Sequence, residues 1–85
     1  MNIEEQVKKL VEEEVTNLGV IIDSIEYVKE GSNNYLRITI DRDEPVDLDT
    51  CVEVTNVINP ILDKNEDIFE DSYILEVMSK ERGNQ

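Results

Sequence analysis

The chain has 85 residues with 21 acidic and 8 basic side chains, no histidine and a single cysteine, for a net charge of −13. That length gives one domain near the lower end of what folds without disulfides or metal. Cys51 alone rules out an internal disulfide, and without histidine there is no Cys/His zinc spacing.

No apolar run approaches the ~18 residues of a membrane span. One thiol and the absence of a signal-type leader point to the reducing cytoplasm. With no Trp, one Phe and three Tyr, the core falls to Val, Ile and Leu. A surface this negative repels phosphate backbones, which argues against sequence-independent nucleic-acid binding. It favours basic partners, ribosomal and histone-like proteins among them. The plainer alternative is that acidity keeps a small domain soluble.

In chain order, Asn2 is an N-cap with Glu5 three residues on, a capping-box pattern. Ile3, Val7, Leu10, Val11, Val15 and Leu18 recur at helical spacing, which predicts a helix over 3–18. Glu4 and Glu5 stand four residues ahead of Lys8 and Lys9, the favourable order for exposed pairs. Gly19 is placed to stop the helix.

Val20 to Lys29 is rich in β-branched residues and reads as a first strand. Its alternation breaks in the middle, and a bulge near Asp23 would reconcile the two halves. The turn chemistry of Glu30-Gly31-Ser32-Asn33-Asn34 leads into a second strand over Tyr35–Asp41. There Leu36, Ile38 and Ile40 share one face, and Tyr35, Arg37, Thr39 and Asp41 the other.

After the acidic loop, Asp47 is an N-cap for a second helix, with Asp49 in its first turn. The expected buried stripe is Leu48, Cys51, Val52, Thr55, Ile58 and Leu62, widened by Val54, Val57 and Ile61. Pro60 costs roughly 3 kcal/mol inside a helix, which predicts a break or kink at Asn59-Pro60. Ile68 and Phe69 are expected to plug the edge of the core. Tyr73, Leu75 and Val77 alternate against Ile74, Glu76 and Met78, so Ser72–Ser79 reads as a third strand. Lys80–Gln85 is polar, lacks periodicity and is expected to be disordered. The order α-β-β-α-β predicts an α+β two-layer sandwich, two helices on one face of a three-stranded sheet. The far face would carry Arg37, Thr39 and Glu76, with Tyr35 and Met78 as apolar exceptions.

The inventory for chemistry is thin. Aligned on Asp41, a calcium loop of the EF-hand type would need an oxygen ligand at Pro45, glycine at Val46 and glutamate at Val52, so no metal site is expected. Without histidine there is no ordinary general base, and Cys51 falls on an apolar stripe as a small hydrophobe. No glycine pattern cradles a phosphate, so neither an enzyme nor a cofactor is expected. One class of KH domain has this element order, but its Gly-x-x-Gly backbone clamp is missing. Lys29, Arg37 and Arg42 make a weak RNA platform against this net charge, and local pairing with the surrounding acids is the expectation.

Further resemblance lies in an ordered set of segments: Leu18-Gly19, Asp23 through Gly31, Leu36 through Asp41, Val46 through Cys51, Ile61-Leu62-Asp63 and Tyr73 through Val77. Together these resemble the amino-terminal domain of the RimP ribosome maturation factor family, over about residues 3–79. The resemblance implies an αββαβ domain, 1–79, that would precede a small SH3-like domain. Residues 80–85 then read as a tail, with that second domain missing in cis. It also implies a cytoplasmic, non-catalytic assembly factor for the small ribosomal subunit. Its partners would be a basic ribosomal protein and the assembling subunit, with rRNA contact secondary and no membrane.

Two stretches depart from the family pattern. Thr55-Asn56 stands where members commonly have Ser-Arg, which removes one candidate cation. Met78 through Gly83 keeps only a serine of the family's Ser-Ser-Pro-Gly segment. The partner-binding surface expected from clustered polar groups is Arg37, Asp41, Arg42, Asp43, Asp47 and Asp49. Two rival readings are an acidic regulator that masks a basic protein partner and a cation-dependent site at the acidic loop.

Overall fold

Asn2 starts the first helix as its spacing predicts. Its side chain accepts from the Glu5 backbone N–H at 2.9 Å, and α1 runs Ile3–Asn17. Gly19 follows with φ +87, the left-handed conformation that lets the chain leave a helix at little cost. The computed structural model describes residues 2–80. On α1 the observed ion pair is Lys8 with Glu12 at 3.7 Å, while Glu4 accepts from the Tyr27 backbone N–H at 3.3 Å.

Strand β1 spans Ile21–Glu30 and pairs antiparallel with β2, Asn33–Asp41. The register slips between Ile22 and Ser24, so the bulge expected near Asp23 is present. It puts Ile22 opposite Ile40 and Ile25 opposite Ile38, returning both halves of the strand to the covered face. The hairpin closes on Gly31-Ser32, three residues tighter than the expected five-residue turn. Gly31, at φ +64, supplies the positive φ that a Gly-first II′ turn demands.

The second helix, α2, runs Leu48–Lys64, continuous through Pro60. Of the break or kink expected at Asn59-Pro60, the break does not occur. Pro60 and Asn56, whose carbonyl loses its usual donor, lie on the exposed side, where that carbonyl is open to solvent rather than buried without a partner. Cys51, Val54, Ile58 and Leu62 are buried on both sides of the proline and hold the helical path. That stripe is also rotated from the expected one. Val54 is at its centre, Thr55 is half-buried, and Leu48 and Val52 are 78% and 51% exposed.

Asn65 closes the helix by donating its side-chain amide to the Ile61 carbonyl at 2.8 Å. A single 3-10 turn over Glu66–Ile68 leads to Phe69, and Ile68 and Phe69 pack against the core as expected. Strand β3, Ile74–Ser79, pairs parallel with β2, giving the sheet order β1-β2-β3. Both helices cover one face, so the α+β two-layer architecture is the predicted one.

Among the described residues eleven form the buried centre, including Val7, Val11 and Val15 of α1 and Leu36, Ile38 and Ile40 of β2. Each such side chain contributes roughly 1.5–3 kcal/mol on burial. Lys80 departs from the disordered tail expected at 80–85. It extends the ladder through its backbone N–H to the Ile40 carbonyl, 2.8 Å, and pairs with Asp23 at 3.2 Å. The remainder of that tail, 81–85, lies outside the described residues.

Candidate functional site

The predicted partner-binding residues divide between two places. Arg37 sits in the middle of the uncovered sheet face, between Glu26 on β1 and Glu76 on β3. Its guanidinium takes Glu30 in two bonds of 2.8 Å and Glu76 in one of 2.7 Å. It also lies 4.8 Å from the Tyr35 ring centroid, within cation–π range. The hydrogen bonds to Glu30 and then Glu76 push the guanidinium further up, and Arg37 holds the Glu30 carboxyl below its ordinary value. A cation held by two carboxylates has little left for a phosphate.

The other five lie where β2 ends and α2 begins, with Asp41 about 13 Å along the strand from Arg37. Asp41 accepts from the Arg42 backbone N–H at 2.8 Å. Arg42 turns its guanidinium onto the Pro45 carbonyl, at 2.9 and 3.3 Å, and so braces the loop. Asp47 caps α2, accepting from the Thr50 backbone N–H at 2.8 Å and its hydroxyl at 2.6 Å. Those two bonds, hydroxyl first, lower the Asp47 pKa. Asp43 and Asp49 are exposed. Among the described residues no three carboxylates converge as a metal ligand set.

Beside this loop lies a feature the sequence pattern hid. Leu48 and Val52, one helical turn apart, were expected inside and instead stand in water next to Asp49. Ile21, opposite Asp41 at the same end of the sheet, is 58% exposed. Cys51 points the other way. Burial first, then the Asp47 charge, pushes its thiol up, away from nucleophilic reactivity.

A concavity opens between α2 and the start of β3. It encloses about 770 Å³, with Thr55, Asn59 and Asp63 on the helix side and Tyr73 and Leu75 on the strand side. Phe69 and Tyr73 stack at 4.2 Å between centroids, and Tyr27 adds a third ring 5.7 Å from Phe69. Glu66, Asp67 and Asp71 complete an acidic lining. Tyr73 is raised by burial first and then by Asp63, a sign of the negative potential there. The lining lies within residues 55–75, and the fold brings the end of α2, the acidic connection and the start of β3 around one space, with Tyr27 of β1 beside it.

Comparison with known proteins settles the lineage. The RimP N-terminal domain family matches residues 10–80, most of the chain, from the middle of α1 to the end of β3. The chain belongs to this family. The RimP family is one of ribosome maturation factors, which ties this fold to ribosome maturation. In this RimP domain the concavity and the loop both flank the packed core. Thr55, the first residue of the pair that departs from the family pattern, lines the concavity and donates its hydroxyl to the Cys51 carbonyl at 2.8 Å. Among the described residues no helix is long and apolar enough to cross a membrane.

Proposed function

We propose that this domain is a non-catalytic docking module for maturation of the small ribosomal subunit, one that meets a basic ribosomal protein and leaves rRNA contact secondary. The RimP family match over residues 10–80 carries the reading. The physical chemistry agrees with it. A net charge of −13 attracts basic proteins and repels RNA backbones. Arg37, central on the open sheet face, is already neutralised by Glu30 and Glu76.

The surface proposed for the contact is the end of the domain where β2 passes into α2. There Leu48 and Val52 supply the apolar centre that interfaces use, and Asp43 and Asp49 an acidic rim. Asp41, Arg42 and Asp47 shape the loop through their own hydrogen bonds. The setting is the cytoplasm, where ribosomal subunits assemble.

Co-sedimentation of the chain with small subunits, with large subunits as control, tests the reading. Binding confined to the small subunit and weakened by added salt is expected. The double substitution Asp43→Lys, Asp49→Lys should weaken it with the circular dichroism spectrum unchanged. Asp47 is left alone because its carboxylate caps the helix. Equal binding to both subunits, or none to either, would remove the docking reading.

A further inference from the structure

Strand β3 forms one edge of the sheet, and among the described residues nothing pairs with its outer side. The ladder fixes what that side offers. Lys80 donates its backbone N–H to Ile40, in a parallel register that sets Ser79 beside Ile40. The N–H and C=O of one strand residue point the same way, and the direction alternates along the chain. Glu76, Met78 and Lys80 therefore turn their backbone groups toward β2. Leu75, Val77 and Ser79 present theirs outward with no proline among them, and the charges next to them in the chain, Glu76 and Lys80, are paired inward across the sheet with Arg37 and Asp23. Protein edges are ordinarily blunted by prolines and free charges, and this row of donors and acceptors is an open template.

The concavity of about 770 Å³ meets the start of this edge at Leu75, with α2 as its far wall. An edge strand next to a helix-walled groove is the arrangement in which extended peptides add to a sheet, main chain on the edge and alternate side chains in the groove. The lining selects the occupant. It holds Asp63, Glu66, Asp67 and Asp71, no lysine or arginine, and the stacked rings of Phe69 and Tyr73. Carboxylates over aromatic faces suit guanidinium and ammonium groups. A second copy of this chain, or a nucleic acid, would meet like charge here.

We propose that the outer edge of β3 and the cleft between β3 and α2 bind an extended lysine- or arginine-rich polypeptide segment, which joins the sheet as a fourth strand. The proposal deepens the docking reading and rests on it only for the partner's class, a basic protein. The surface is a different one from the β2–α2 end.

The probe is a short synthetic peptide of alternating arginine and valine, titrated into the full chain and followed by amide NMR. Comparison peptides replace arginine by glutamate, or carry N-methyl groups at alternate backbone positions in each of the two phases. Saturable binding of the arginine peptide is expected, with exchange of the Leu75 and Val77 amides slowed at least several-fold. N-methylation in one phase should abolish binding, since it removes the donors that face β3. The exposed pair Asp63→Lys, Asp67→Lys should weaken binding about tenfold or more, an ordinary size for loss of close charge complementarity. No saturable binding, binding indifferent to N-methylation in both phases, or shifts confined to the Asp43–Asp49 loop would each overturn the edge site. If the peptide fails while small-subunit sedimentation persists, only the edge site falls. If the peptide binds at β3 while sedimentation is absent, the edge site stands and the ribosomal reading falls.

Discussion

Arg37 and Ile38 are adjacent on β2, yet Ile38 is fully buried beneath two helices while Arg37 lies on the uncovered sheet face between Glu30 and Glu76. The covered face is built from β-branched and leucine side chains with no buried polar group among the described residues. The open face is built from pairs: Arg37 with Glu30 and Glu76, and Lys80 with Asp23 across the sheet. Burial is non-directional and accumulates with area, so the covered face carries the fold. Exposed ion pairs exchange solvent for partner at little net gain, so the open face sets charge and register. One strand thus separates stability from surface identity by a period of two.

Substitution at the two neighbours is the sharpest way to break this contrast. Ile38→Ala should cost about 3 kcal/mol in a urea titration, from lost transfer energy and the cavity left behind. Against the roughly 4–13 kcal/mol available to a domain of this size, that is a large fraction. A loss under about 1 kcal/mol would mean the covered face is not the packed core described.

Next in size comes the exposed side of α2. Pro60→Ala restores a backbone donor opposite Asn56, and it should raise stability by about 1–2 kcal/mol after the unfolded chain's added freedom is set against the helix gain. Destabilisation there would show that the proline ring makes a contact the exposed side does not suggest.

A smaller effect is expected at the α2 cap. Asp47→Ala removes the acceptor for two donors of Thr50 and should lower the thermal midpoint by a few degrees. Asp47→Asn keeps the acceptor without the charge and should fall between the two. A midpoint unchanged in both would show that the cap is idle.

The acid limb follows from the same surface groups. Glu30 and Asp47 titrate below their ordinary values of 4.5 and 3.8 in the folded chain. Folding therefore favours their ionised forms. Their contribution is fully present above about pH 4.5 and is lost as pH falls through the depressed folded values. Denaturation midpoints measured from pH 6 down to pH 2 should decline in that window. A flat profile there would contradict the pairing.

The smallest effect is expected at Arg37 itself. Arg37→Gln should lower the urea midpoint only slightly while the Glu30 carboxyl, followed by NMR titration, returns toward its ordinary value of 4.5. A large stability loss would show that the open face holds the fold as well, and the contrast with Ile38 would fail.

Much of this was legible because periodicity carries it. The stripe of Val7, Val11 and Val15, the alternation of Leu36, Ile38 and Ile40, and the caps at Asn2 and Asp47 are local patterns with local causes. Even the bulge announced itself, as a break of parity at Asp23. The rotation of α2 did not. Its residues Leu48, Cys51, Val52, Val54, Val57, Ile58, Ile61 and Leu62 are apolar over too wide an arc for pattern alone to pick the buried line. Where the sheet ends decides that Leu48 and Val52 are left in water. Pro60 does not break α2 for a related reason: its intrinsic cost is fixed, but tertiary packing on both sides of it outweighs that cost.

The candidate surfaces follow the same division. The polar loop Asp41–Asp49 is contiguous, so its cluster could be seen in the sequence, although only the structure showed that Asp41, Arg42 and Asp47 are committed to holding the loop. The cleft joins Asp63, Phe69 and Tyr73 to Thr55 and Leu75 through the crossover from α2 to β3, and no spacing rule connects them. By itself the sequence determined the elements, their order, the acidity and the family resemblance, because each depends on neighbours or on totals. Only the tertiary structure decided which strand edge stays open and which helix residues face water. Those depend on contacts between distant segments, and the free energy that selects them is realised only when the chain is packed.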